Sequence, residues 1–297
     1  MQHNAYMGTN GECSVNPFVG HEGEPLLKDG NGRKIAVIGS GPAGLTAADI
    51  LAQRGFDVTV IEKHSQPGGQ LLLAAAPPKK GKTAWFIEDA VASCKEHGVR
   101  FMMNTEATVA LIREMAPYAV VAATGSRPIK PKFGGNYNED EVLVSDDILC
   151  GRVKLENREV ALIGSGMTGL ETAQMLCENG CKVTVVEMAD EIAPGTWMQH
   201  KDDVLPSLNK AGTDFLVGEK LAEIGDGYII TENMKTKEKL KTNCDTVVLS
   251  LGSRPDTELI KELSKSGMKP IVIGDCLKVG RIADATKAAY EAAIGIE

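Results

Sequence analysis

Residues 35–62, IAVIGSGPAGLTAADILAQRGFDVTVIE, recur as residues 160–187, VALIGSGMTGLETAQMLCENGCKVTVVE, without a gap and at a constant offset of 125. Fourteen of the 28 positions are identical. A repeat of this length constrains the fold more than any other feature, because both copies must build the same supersecondary unit. Each copy reads as a short apolar strand, a glycine turn, a helix closed by glycine (Gly55, Gly180), and a second β-branched strand ending in glutamate. That pattern is a βαβ unit. A second echo, VAATGSRP at 121–128 against VLSLGSRP at 248–255, falls at nearly the same offset. The chain therefore holds two copies of one nucleotide-binding architecture, each with a later buried strand that runs into Gly-Ser-Arg-Pro.

The expected fold class is α/β: two Rossmann-like, three-layer dinucleotide-binding domains, the second inserted into a discontinuous first. Residues 33–149 and 256–297 are assigned to the first domain and 150–255 to the second. Residues 1–32 lack sustained periodicity, are rich in Gly, Asn and Pro, and read as a linker or extended segment. The stretch RPIKPKFGG at 127–135 reads as a connector, and 136–156 as a bridge into the second domain. Near the end, Ile271-Val272-Ile273-Gly274-Asp275 reads as a buried strand with an acidic end, followed by an alanine-rich helix over 282–296. That tail is too short for a domain, so its expected place is back on the first domain.

In the first copy Gly39-Ser40-Gly41-Pro42-Ala43-Gly44 follows a strand and opens a helix, the context that makes a GxGxxG pattern specific. Gly39 allows the tight turn, Gly41 lets the backbone approach a pyrophosphate, and Gly44 lets helix and strand pack closely. Unpaired N–H groups at the helix start hold the anion. Glu62, eighteen residues past Gly44 with Lys63 beside it, is placed to accept hydrogen bonds from a ribose. Gly164-Ser165-Gly166-Met167-Thr168-Gly169 with Glu187 repeats the logic at the same spacing, and Gly252 belongs to the second Gly-Ser-Arg-Pro. Two dinucleotides are implied. A carboxylate at 187 repels a ribose 2′-phosphate, and Met188-Ala189-Asp190-Glu191 supplies no arginine to clamp one, which favours NADH over NADPH.

Lysine plus arginine number 32 against 40 aspartates plus glutamates, a net charge of −8 that leaves no electrostatic footprint for nucleic acid or an anionic membrane. No apolar run reaches a membrane span and no signal-peptide core is visible, so the chain reads as cytoplasmic. The seven cysteines (13, 94, 150, 177, 181, 244 and 276) form no CxxC pair and no zinc-type spacing. A thioredoxin-reductase-type dithiol is therefore not encoded, and the Cys177/Cys181 pair is expected to pack.

Over residues 33–297 these motifs resemble, in order, the two-dinucleotide-binding flavoprotein oxidoreductases (pyridine nucleotide-disulfide reductase-like), with FAD in the first domain and NAD(P)H in the second. The resemblance implies that Pro67-Gly68-Gly69-Gln70-Leu71 runs beside the flavin, with Gly69, Gln70 and Leu71 in contact. It also implies that Thr124-Gly125 lies near FAD and that Asp275 binds its ribityl or phosphate portion. A narrower resemblance is carried by Cys13-Ser14-Val15-Asn16-Pro17 with Gly20 and Glu22, and by Gly68-Gly69-Gln70-Leu71 with Ala74-Ala75-Ala76-Pro77-Pro78. These residues are similar to the C-terminal half of the NADH:flavin oxidoreductase / 2,4-dienoyl-CoA reductase (old yellow enzyme-like) family. Full-length members of that family begin with an FMN-holding TIM barrel, followed by four cysteines around a [4Fe–4S] cluster. Cys13 resembles the last of those four. The barrel and the other three cysteines are absent, and one thiolate cannot hold such a cluster, so Cys13 is expected as a free thiol.

The resemblance implies an FAD-dependent NADH:acceptor oxidoreductase, as a fragment, split gene product or truncated form of the larger enzyme. Hydride transfer between two rings demands contact and orientation more than a protein acid or base, so no catalytic side chain is assigned. The partners implied are NADH and a small-molecule or protein electron acceptor, with an FMN barrel in cis or trans. Two alternatives stand beside this reading. One is an electron-transfer subunit like the small subunit of glutamate synthase, and the other a docking module with little turnover of its own.

Overall fold

The computed structural model describes residues 13–297. In chain order these form β1 (Lys34–Ile38), α1 (Pro42–Gln53), β2 (Asp57–Ile61), α2 (Gln70–Ala75), α3 (Trp85–Glu96), β3 (Arg100–Met102), α4 (Val109–Met115), β4 (Ala119–Ala122) and β5 (Ser126–Pro128). Next come β6 (Leu143–Val144), α5 (Ser145–Leu149), β7 (Glu159–Ile163), α6 (Met167–Glu178), β8 (Lys182–Glu187), α7 (Met198–Lys210), β9 (Asp214–Val217), β10 (Glu219–Gly225), β11 (Tyr228–Asn233), β12 (Lys239–Asn243) and β13 (Thr246–Leu249). The chain closes with β14 (Ser253–Pro255), α8 (Glu258–Lys265), β15 (Ile271–Val272) and α9 (Ile282–Ile294).

Both repeats fold as βαβ units at the centre of parallel five-stranded sheets. In the first unit the order is β15-β4-β1-β2-β3, and in the second β6-β13-β7-β8-β9. Parallel strands covered on both faces must be apolar throughout, which is why β1 and β7 lack polar alternation. In β1, Ile35 and Val37 pack towards α1 and α9, while Ala36 and Ile38 join Ile112 of α4 and Leu263 of α8 on the opposite face. The alanines of α1 (Ala43, Ala47, Ala48) and of α9 (Ala285, Ala289, Ala293) share one buried cluster. Small side chains let these two helices approach closely. Through β15, which pairs with β4, and through α9, the C-terminal tail completes the first unit.

The second unit covers one face of its sheet with α5, α6 and α7, where Ile148, Leu170, Leu176, Val204 and Leu208 meet Val160, Leu162 and Val185. Its other face carries a layer of a different kind. The antiparallel sheet β10-β11-β12 lays Leu221, Ile224 and Ile229 against Ala161, Ile163 and Val186. The fold is thus α/β with two Rossmann-like units, the second inserted into a discontinuous first.

Two boundaries differ from the sequence reading. The first unit comprises the chain up to Leu72, Lys82–Arg127 and Arg254–Glu297, and the second comprises Leu73–Gly81 and Pro128–Ser253. The division therefore falls after Arg127 rather than after residue 149, and nine residues from 73 onward belong to the second unit. Residues 73–81 are tied to the second unit by the Lys80–Glu171 ion pair, and the later boundary is set by backbone pairing. The Gly134 N–H donates to the Ala222 carbonyl (3.1 Å), the Ile224 N–H donates to the Gly134 carbonyl (2.9 Å), and Leu143 of β6 stands opposite Val248 of β13. These contacts are made by segments too short to show a period.

The segment read as a linker is also more ordered than expected over its described part, 13–32; residues 1–12 lie outside the described residues. Phe18 meets the Tyr290 ring edge-on at 5.4 Å and His21 stacks on it at 4.9 Å. The Thr286 hydroxyl donates to the Ser14 carbonyl (3.2 Å), and buried Arg54 is paired with Asp29. Single side chains anchor this stretch, and no repeating pattern announces them.

Candidate functional site

The two glycine turns are built alike. A Cβ on Gly39 would lie 2.3 Å from the Ala123 carbonyl oxygen, and one on Gly44 would lie 2.0 Å from that of Gly39. In the second unit the corresponding distances are 2.3 Å from Gly164 to the Ser250 oxygen and 2.2 Å from Gly169 to the Gly164 oxygen. No real side chain tolerates such distances, so these four positions exist to bring the first turn of α1 or α6 against the strand ends. Gly41 and Gly166 are the reverse case: a Cβ at either would meet nothing within 4 Å. Each is the open face of a cradle closed on its other sides, with free helix N–H groups behind it, as a pyrophosphate requires.

Behind each turn lies the same carboxylate clamp. The Ser40 amide (2.9 Å) and hydroxyl (2.7 Å) donate to Glu62 Oε2, and the His64 amide donates to Oε1 (2.9 Å). The Ser165 amide (2.9 Å) and hydroxyl (2.7 Å) donate to Glu187 Oε2, and the Ala189 amide donates to Oε1 (2.9 Å). Both serines are fully buried and both glutamates nearly so. A carboxylate offers about four lone-pair positions. Three donors leave each glutamate room for roughly one more hydroxyl. Burial works to raise the Glu187 pKa, but hydrogen bonds from the Ala189 amide and from the Ser165 hydroxyl and amide outweigh it and hold the group below its ordinary value. The charge at 187 therefore persists throughout the neutral range.

Other expected residues gather in the first unit. The Gly68 N–H donates to the Ser40 carbonyl (2.8 Å), which sets Gly69 beside Gly41. Gln70 Nε2 reaches the Ser126 carbonyl and hydroxyl (3.4 Å each), and the Ser126 hydroxyl donates to Asp275 Oδ2 (3.1 Å). The Gly280 N–H donates to Asp275 Oδ1 (3.1 Å), and Leu71 is buried beneath. The Thr124 hydroxyl donates to the Asp256 carbonyl (2.7 Å), and the Asp256 N–H donates to the Gly125 carbonyl (3.0 Å). Pro42 and Ala43 open α1, and Met167, 40% exposed, opens α6. Lys63 is exposed at the end of β2. Gly252, also exposed, lies in the second unit, where its carbonyl accepts from the Ile129 N–H (2.9 Å).

One charged cluster escaped the sequence reading. Glu171 of α6 is 6% exposed and is ion-paired with Lys80, while His200 Nε2 of α7 lies 3.2 Å from Glu171 Oε1 at an angle that makes no hydrogen bond. The available signal was in the repeat. Glu171 stands 125 residues beyond Thr46, so the second copy carries a carboxylate where the first has a hydroxyl.

All seven cysteines are free. Burial, with the Asp49 carboxylate adding to it, pushes the Cys94 thiol up to about 12. Burial, with Asp245 adding to it, takes Cys244 to about 11. Among the described residues no group of His, Cys, Asp and Glu could hold a metal ion, and no helix is long and apolar enough to cross a membrane.

The pyridine nucleotide-disulphide oxidoreductase family model matches residues 33–271, a span that contains both cradles and both clamps. The chain belongs to the pyridine nucleotide-disulphide oxidoreductase family. As a member it is an oxidoreductase module of the kind that pairs FAD with NAD(P)H. Among curated relatives, an NADH oxidase of Thermoanaerobacter brockii is 35% identical over 286 residues, which cover 95% of this chain and 44% of the relative. A bilirubin reductase of Mediterraneibacter gnavus is 31% identical, over 94% of this chain and 43% of its own length. Among solved structures, a 2-naphthoyl-CoA reductase in complex with 2-naphthoyl-CoA superposes with a TM-score of 0.89 at 29% identity, covering 99% of this chain and 45% of that one. The chain thus spans under half the length of each of these three relatives. These likenesses accord with the old yellow enzyme-like resemblance of the sequence.

Proposed function

We propose that the chain is an NADH:acceptor oxidoreductase module in which the first unit holds FAD and the second holds NADH. The observation that carries this reading is the doubled cradle: two open glycines, Gly41 and Gly166, each flanked by glycines that admit no side chain and backed by a serine-clamped glutamate. In the first unit, Gly39, Gly41, Pro42, Ala43 and Gly44 would take the pyrophosphate, with Ser40 holding Glu62 on the adenosine ribose, and Gly69, Gln70, Leu71, Thr124, Gly125 and Asp275 would take the flavin half. In the second, Gly164, Gly166, Met167 and Gly169 would take the pyrophosphate, with Ser165 holding Glu187 on the ribose and Gly252 at the rim. FAD, when bound, supplies the acceptor ring for hydride from the nicotinamide. The protein binds and orients, and no side chain is assigned a proton.

The charge on Glu187 favours NADH over NADPH. Because the relatives extend well beyond the matched region, the onward route is proposed to run to an FMN barrel, in cis or in trans, through a [4Fe–4S] cluster. Cys13, free and half-buried here, supplies one thiolate of the four such a cluster needs. A cytoplasmic site of action belongs to the same proposal. The test is the visible spectrum of purified protein supplied with FAD. A flavin band that bleaches on anaerobic addition of NADH, and much less with NADPH, is expected. Protein that stays colourless overturns the reading, and equal bleaching by both nucleotides overturns the role given to Glu187.

A further inference from the structure

The repeat extends in space beyond its recognisable sequence. Residues 188–195 follow Glu187 as 63–70 follow Glu62, and Ala193 stands 125 residues beyond Gly68. Both positions have a positive φ, 126° at Gly68 and 51° at Ala193, although alanine rarely adopts that region. Both amides bond the second residue of their glycine turn, but they reach different acceptors. The Gly68 N–H donates to the main-chain carbonyl of Ser40 (2.8 Å), whereas the Ala193 N–H donates to the side-chain oxygen of Ser165 (2.8 Å). The Ser165 hydroxyl thus does two things at once, giving its proton to Glu187 Oε2 and accepting from Ala193. Ala193 is fully buried in the helical-face core, while residues 188, 190, 191, 194 and 195 are exposed around it.

We infer that Ser165 is a positioning residue that latches the loop 188–195 to the glycine turn, and so sets how the second unit discriminates between NADH and NADPH. The inference rests on the proposal that the second unit binds the nicotinamide nucleotide. The physical argument is one of register. Glu187 faces a ribose correctly only while the chain just after it is held, and the loop bearing Asp190 and Glu191 is pinned from below at Ala193. In the first unit the same connection runs through the main chain, which substitution of Ser40 leaves intact. In the second it depends on one side-chain oxygen.

Two readouts test this on the full-length, FAD-loaded protein. The first is hydrogen exchange of the peptide containing Ala193, with no nicotinamide nucleotide present. The Ala193 amide is expected to be protected in the native chain and to exchange about tenfold faster in Ser165→Ala, with protection restored in Ser165→Thr. In Ser40→Ala the Gly68 amide should stay protected. Rapid exchange at Ala193 in the unsubstituted protein overturns the latch without recourse to any variant.

The second readout is calorimetric titration with NAD+ and NADP+. Ser165→Ala should weaken NAD+ binding about tenfold while changing NADP+ far less, which narrows the discrimination. Steady-state kinetics should show the change in KM rather than in kcat. Equal weakening of both nucleotides, or a loss confined to kcat, overturns the inference. If the unsubstituted protein binds neither nucleotide, the functional reading of the second unit fails, whereas the exchange data judge the latch on their own.

Discussion

Gly44→Ala is expected to yield protein that no longer retains FAD, while Gly169→Ala is expected to stay yellow and lose reduction by NADH. Each added methyl would sit 2.0 Å or 2.2 Å from a carbonyl oxygen of its own turn. The neighbour is backbone, so no rotamer change relieves the clash; the helix start must move away from the strand. The N–H groups that face the pyrophosphate move with it, and charge-assisted hydrogen bonds to phosphate are steeply sensitive to such displacement. A loss of at least about 100-fold in affinity for the corresponding dinucleotide follows if two such bonds are broken. The informative outcome is the double dissociation. Flavin content per chain and calorimetric NAD+ binding, measured on both variants, should each fail in one variant and survive in the other. If either substitution abolished both bindings, the cradles would not be the independent sites assigned here.

Glu187→Arg is expected to reverse the preference between NADH and NADPH, changing the ratio of their kcat/KM values by about 100-fold, since like-charge juxtaposition costs several kcal/mol. The substitution removes a buried anion and adds a planar cation suited to a phosphate. It also deprives the Ser165 and Ala189 amides of their acceptor, so the affinity for NADH itself should fall. Glu187→Gln separates the two effects, because it removes the charge but leaves an acceptor in place. Two lysines missed in the sequence reading stand close to this loop: Lys235 pairs with Asp190 at 2.8 Å and Lys201 with Glu191 at 3.6 Å.

The sign of the pH dependence follows from the lowered pKa of Glu187. A carboxylate whose folded pKa is depressed contributes stability that is present above its unfolded pKa and lost as pH falls through the folded value. The contribution of Glu187 to the preference for NADH should accordingly be flat between about pH 6 and pH 8 and erode only in acid, below the ordinary carboxylate range. A near-neutral titration retained in Glu187→Gln belongs to the 2′-phosphate of NADPH, whose second pKa is about 6, and one that Glu187→Gln abolishes would contradict the lowered pKa.

How much of this was legible in the sequence depended on repetition. The βαβ units, the helix-ending glycines and the clamped glutamates lie inside a stretch where half the positions match, so two copies corroborated each other. The return of the tail to the first unit was readable because a strand and a helix are too short to form a domain of their own. Features held by single contacts were not readable. Lys80 and Glu171 are 91 residues apart, the antiparallel layer over the second sheet has no counterpart among the helices of the first unit, and Phe18 rests on Tyr290 with no pattern to announce it. The boundary near residue 128 was misplaced for the same reason: Gly134 joins β10 through two backbone hydrogen bonds that leave no mark in the composition.

One chain is proposed to carry two separate dinucleotide sites that work in series. Anaerobic titration of FAD-loaded protein with NADH tests it most directly, with flavin content and protein concentration determined on the same sample. One FAD per chain is expected, fully bleached by one equivalent of NADH, with excess NAD+ then binding at a second, flavin-independent site. Bound flavin that NADH fails to reduce, or NAD+ that binds only by displacing FAD, would contradict it.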